Sequence, residues 1–126
     1  MSKYKSQKML STFANAQKGL RIALKSETNI RIHFCAGLLI LALGVCLNFS
    51  VTKICILLLT IASVICAEMV NSAIEFSLDA VFHNKYSKLV GMAKDIAAGA
   101  VMFTSFIAAI IGFLLFLPPL ISLFLQ

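Results

Sequence analysis

Residues 54–78 form one long apolar run, and into its second half are set Glu68, Asn71 and Glu75. A run of this length reads as a membrane-spanning helix, because a bilayer core of roughly 30 Å takes about 20 helical residues. At 3.6 residues per turn the three polar side chains, at i, i+3 and i+7, share one face, and Asp79 continues it at i+11. A carboxylate inside such a helix is expensive. It faces protein or water, and by default it marks a functional site. A stripe that served only as polar glue between packed helices would need one Asn or Ser, not several carboxylates.

The rest of the chain has the same character. Of its 126 residues 60% are hydrophobic and none is tryptophan, and the mean hydropathy of +0.97 excludes a water-soluble domain of this size. Spans are expected at 32–49, 54–78 and 96–117, with Pro118 and Pro119 breaking the last apolar stretch. The polar N-terminus and the late first apolar run give no sign of a signal peptide. Before the first span, residues 8–25 place Leu10, Phe13, Gln17, Leu20 and Leu24 on one face, with Lys18, Arg21 and Lys25 off it. That is the pattern of a basic amphipathic helix lying on a membrane surface. The expected fold is an all-α membrane protein, a surface helix plus three transmembrane helices, forming one domain over 1–126. Asn48, Phe49 and Ser50 read as a tight turn between antiparallel spans, and 81–92 as a loop. Three helices enclose a polar layer poorly, so homo-oligomerisation is expected.

The net charge of +6 is unevenly placed. Seven of the basic residues precede the first span, Lys85, Lys88 and Lys94 lie between the second and third, and Lys53 alone lies between the first and second. The positive-inside rule puts the N-terminus and the second loop in the cytoplasm. The partner implied for this charge is the anionic headgroup layer, not nucleic acid. In that topology Glu27, Glu68, Glu75, Asp79 and Asp95, which are all the acidic residues, gather towards one side of the membrane. The four cysteines, without a C-x-x-C pair or a histidine at ligand spacing, read as small buried apolar residues.

Carboxylates, lysines and an asparagine in one layer suit several chemistries, phosphoryl transfer among them. Glu27 and Glu75 could ligate Mg²⁺ together with substrate phosphates. Lys94 and Lys8 could neutralise phosphate charge, and the deeper Glu68 could take a proton from a hydroxyl arriving from the bilayer. No G-x-x-x-x-G-K-[ST] is present, so a nucleotide site here is not a P-loop. Blander readings stand beside these. Lys94 and Asp95 could cap the third span, Glu27 could pair with Arg31 at i+4, and His33 could touch headgroups. A small cation-coupled transporter would also use a membrane glutamate, but nearer mid-bilayer and without lysine partners.

The run Ala67-Glu68-Met69-Val70-Asn71-Ser72-Ala73-Ile74-Glu75, then Asp79, then Ala93-Lys94-Asp95, carries the pattern E-x-x-N-[ST]-A-I-E-x-x-x-D followed by A-K-D. It resembles the bacterial integral-membrane lipid kinases, the family that comprises prokaryotic diacylglycerol kinase and undecaprenol kinase. Lys18-Gly19-Leu20-Arg21 and Glu27 extend the resemblance, which covers about residues 8–117. It implies a homotrimer in the bacterial cytoplasmic (inner) membrane, with ATP and Mg²⁺ entering from the cytoplasm and a lipid alcohol from the bilayer. By position, Glu68 matches the catalytic base, and Glu27 and Glu75 the metal and nucleotide ligands. Lys8, Asn15, Lys85, Tyr86, Ser87, Lys94 and Asp95 match nucleotide contacts, Lys8 standing where the better-known diacylglycerol kinase has arginine. Arg21, Asn29, Arg31, His33, Asn71 and Ala98 fall on the substrate side. Ala98 and His33 depart from the serine and glutamate of Gram-negative diacylglycerol kinases. With the segments around Phe13, Arg31, Gly99 and Pro118 they lean the resemblance towards undecaprenol, with diacylglycerol as the alternative acceptor.

Overall fold

The computed structural model describes residues 9–83, 85 and 87–125, with all their side chains but those of Leu10 and Phe124. Four helices follow in order: α1 (Met9–Ser26), α2 (Thr28–Cys46), α3 (Val51–Phe82) and α4 (Lys88–Phe124). The last three are long and apolar enough to cross a membrane.

Each junction is set by local chemistry. Between α1 and α2 only Glu27 leaves the helical conformation. There the Arg31 guanidinium donates through Nη1 to the carbonyls of Lys25 at 2.9 Å and Leu24 at 3.4 Å, and through Nη2 to Thr28 Oγ1 at 2.9 Å. The last carbonyls of α1 lack helical partners, and Arg31 satisfies two of them. The Glu27–Arg31 pair, one of the blander readings, does not form; among the described residues the ion pairs are His33–Glu68 and Asp79–Lys94. Between α2 and α3, Asn48 takes the left-handed conformation at φ 53° and the Ser50 side chain accepts from the Lys53 N–H. Between α3 and α4, His83 is the left-handed cap, and the Ser87 hydroxyl accepts from the Val90 N–H at 3.2 Å.

Two glycines let α2 lie close on α3. A Cβ at Gly37 would stand 2.6 Å from Ile61 Cγ2, and one at Gly44 would stand 3.1 Å from Leu57 Cδ1. These contacts and the short turn fix an antiparallel register in which His33 is level with Glu68. The first residues of α2 are then level with Ser72 and Ala73, and the last turns of α3 project beyond them. The lengths agree: α2 is about 28 Å long and α3 about 48 Å at 1.5 Å per residue, so only α2 matches the bilayer core. Ile30, Leu57, Val64, Val90 and Ala97 are buried, while Leu39, Leu59, Met102 and Phe103 are exposed. Such an apolar exterior belongs against lipid or another chain, not water.

The helices overrun the expected spans. The expected loop at 81–92 shrinks to 83–87, because Val81 and Phe82 stay helical until His83 caps them and Ser87 starts α4 at once. Pro118 and Pro119 do not end α4. Proline removes a donor and leaves the carbonyls of Leu114 and Leu115 without their i+4 partners, a loss that membrane helices tolerate. The cysteines differ as well. Cys35, Cys46, Cys55 and Cys66, on α2 and α3, are free and exposed.

Candidate active site

The polar stripe of α3 comes together with one residue from α2 and one from α4. Glu68 is the most deeply placed carboxylate, with 5% of its surface exposed. His33 Nε2 of α2 lies 3.3 Å from its Oε1. One turn on, Asn71 Nδ2 donates to Glu75 Oε1 at 3.3 Å, while the buried Asn71 Oδ1 has no partner. A buried amide oxygen without a donor is costly, which makes it a candidate ligand contact. Ser72 is buried beside this stripe. Nearer the end of α3, Lys94 Nζ of α4 donates to Asp79 Oδ1 at 2.6 Å. This bond ties the ends of α3 and α4 together across their short connection.

The other described sequence candidates are spread over the helices and their junctions. Glu27 is half-buried at the α1–α2 corner, and Asp95 and Lys85 are exposed. Ser87 uses its hydroxyl as the α4 cap, and Arg31 uses its guanidinium on α1. Asn15, Arg21, Asn29 and Ala98 are exposed. Lys8 and Tyr86 lie outside the described residues. Among the described residues, no three His, Cys, Asp or Glu side chains cluster to hold a metal ion. Glu27 and Glu75 nevertheless suit magnesium chemically. Both are oxygen donors neither fully buried nor fully exposed, and Mg²⁺ takes one or two carboxylates and completes its shell with water and phosphate. The unpartnered Asn71 Oδ1 next to Glu75 adds a further oxygen on the same stripe.

Two cavities flank the stripe. One of about 490 Å³ lies among α2, α3 and α4 and is lined by Gly37, Ile61, Val64, Ala109 and Phe113, with His33 among its polar residues. A second of about 410 Å³ lies between α3 and α4, with Asn71 at its wall beside Ala67, Ala93, Ala97 and Ala100. The first cavity is apolar apart from His33 and Thr60, a lining suited to the apolar part of an amphiphile.

Sequence reasoning singled out the stripe but gave no site role to Asp79, nor to Ser72. Asp79 was on the stripe at i+11, yet its partner is 15 residues further along. Only the shortness of the α3–α4 connection brings the two together, and the expected loop was too long for that. His33 was read as a headgroup or substrate contact, because its level against Glu68 depends on the α2–α3 register.

The sequence profile of prokaryotic diacylglycerol kinase matches residues 14–116. The chain belongs to that family. Over 115 residues it is 35% identical to a protein of Synechocystis sp. named diacylglycerol kinase, covering 91% of this chain and 66% of that protein. Over 113 residues it is 34% identical to a protein of Bacillus subtilis named undecaprenol kinase, covering 90% of this chain and 91% of that protein. The family is thus one of membrane lipid kinases, and the two relatives stand almost equally far from this chain while their names give different acceptors.

Proposed function

We propose that this protein transfers the γ-phosphoryl group of ATP, with Mg²⁺, to the hydroxyl of a membrane lipid alcohol, and that the alcohol is undecaprenol. The observation that carries the reading is the placement of Glu68. It is buried, and its partner across helices, His33, also lines an apolar cavity among α2, α3 and α4. Undecaprenol is favoured over diacylglycerol by His33 and Ala98, whose types depart from those of Gram-negative diacylglycerol kinases.

In this reading Glu68 accepts the proton of the lipid hydroxyl as its oxygen forms a bond to the γ-phosphorus. The bond from that phosphorus to the β–γ bridging oxygen breaks, and its electron pair leaves with ADP. Bound magnesium would be held by Glu27 and Glu75 and would supply neutralisation of phosphate charge. Lys94 adds cationic charge on the same side, with Lys8, Asn15, Lys85, Tyr86, Ser87 and Asp95 as further nucleotide contacts. Asn71 orients groups through the amide that already holds Glu75. Arg21, Asn29, Arg31, His33 and Ala98 stand on the lipid side. The basic α1 lies on the cytoplasmic surface, the N-terminus and the α3–α4 loop are cytoplasmic, and three copies assemble.

The test offers undecaprenol and diacylglycerol side by side in detergent micelles with radiolabelled ATP. Label in undecaprenol at several-fold the rate of diacylglycerol is expected. The reverse preference would overturn the acceptor assignment, and label in neither would overturn the kinase reading.

A further inference from the structure

We propose that His33 is the positioning residue of the base: its imidazole, at the wall of the α2–α3–α4 cavity, holds the Glu68 carboxylate in its reactive orientation. The inference rests on the kinase reading above and deepens it.

A carboxylate with 7% of its side chain exposed has given up most of its hydration and needs a partner from the protein. The other polar groups of the stripe are committed elsewhere. Lys94 is on Asp79, and the Asn71 amide nitrogen is on Glu75. Among the described residues, the group recorded against Glu68 is His33 Nε2, at 3.3 Å. An ionised carboxylate only accepts, so in the proposed role the ring nitrogen that faces it carries a proton.

The contact comes from a different helix, which is what a positioning role requires. Packing confines the Glu68 side chain but does not by itself orient its carboxylate, whereas a partner on α2 fixes one oxygen and leaves the other to receive a proton. The α2 backbone is itself held there by the close approach of Gly37 to Ile61, one turn from His33. The His33 side chain is 34% exposed and lines the cavity. An incoming hydroxyl therefore arrives beside a carboxylate that is already oriented.

The test measures steady-state kinetics of wild type, His33→Leu and His33→Gln in micelles containing undecaprenol and MgATP, with circular dichroism and detergent size exclusion as controls of fold and assembly. Gln offers an amide N–H in place of the ring N–H, and Leu offers none. The kcat of His33→Leu is expected to fall about 100-fold with KM for both substrates within about twofold, and His33→Gln to recover about tenfold of the loss. Unchanged kcat in His33→Leu would overturn the proposal. So would a raised lipid KM with kcat retained, since that marks a lipid contact only. Equal impairment of the Leu and Gln variants would overturn it as well. Should His33→Leu not fold, His33→Gln decides alone: activity within about tenfold of wild type supports the role, and loss as deep as in Glu68→Gln overturns it. A wild-type protein that labels neither lipid would overturn the kinase reading, and this role with it.

Discussion

Glu68, Glu75 and Asp79 are three carboxylates on one face of one helix, and their surroundings separate their tasks. Glu68 is buried and paired with a histidine, Glu75 is held by the Asn71 amide, and Asp79 is bound to a lysine on the next helix. The buried one is suited to take a proton, and the half-buried one beside an unpartnered amide oxygen is suited to a cation. Glu75→Gln is expected to raise the magnesium concentration needed for half-maximal activity while leaving the lipid KM unchanged, measured by titrating the metal at fixed ATP. An unchanged magnesium requirement would remove Glu75 from the metal set. At this scale the sequence was informative, since periodicity alone aligned the stripe. It was silent on which partner each carboxylate would meet, because His33 lies 35 positions before Glu68 and Lys94 lies 15 after Asp79. Those pairings follow from helix register, which depends on turn lengths and on glycine contacts that residue type alone does not fix.

Register is a property of the elements. The α2–α3 contact depends on Gly37, where any side chain meets Ile61, so Gly37→Val should push the helices apart and take His33 away from Glu68. Overpacking of this kind costs about 1–3 kcal/mol. The expected outcome is a lower thermal midpoint together with reduced turnover, and a variant with wild-type stability and turnover would show that the close approach is not needed. The Asp79–Lys94 pair contributes less to stability. Its side chains are 40% and 33% exposed, and pairs that exposed contribute at most about 1 kcal/mol. Its importance lies in tethering the start of α4 beside the polar end of α3. The helix ends were the least legible part of the sequence. A loop was expected at 81–92, where the polar composition misled: the His83 and Ser87 caps let both helices run nearly to each other. Proline was likewise expected to break the last helix, but an apolar environment gives a freed backbone no water to turn to, and the helix persists.

At the scale of the whole molecule, much apolar surface is left uncovered by the single chain. Along the apolar windows of α2 and α3 17% of residues are buried, and along that of α4 none. The exposed cysteines belong to the same pattern of surfaces left for lipid or for other copies. Native mass spectrometry of the purified protein in mild detergent is expected to give a species of three 13.7 kDa chains. A monomer that remains active would contradict trimeric assembly. The three spans and their basic flanks were legible because bilayer thickness and headgroup charge act on composition directly. How far α3 and α4 run beyond the expected spans was not, since their caps at His83 and Ser87 come from turn chemistry that hydropathy does not register.

The central claim is that Glu68 is the base of a phosphoryl transfer to a lipid alcohol, and one comparison tests it most directly. Transfer of radiolabelled phosphate from ATP to undecaprenol and to diacylglycerol would be measured for wild type and Glu68→Gln, each shown to have the same helix content and assembly. The account expects label in lipid with wild type and a loss of at least about 100-fold with the variant. Labelling by Glu68→Gln at the wild-type rate would contradict it.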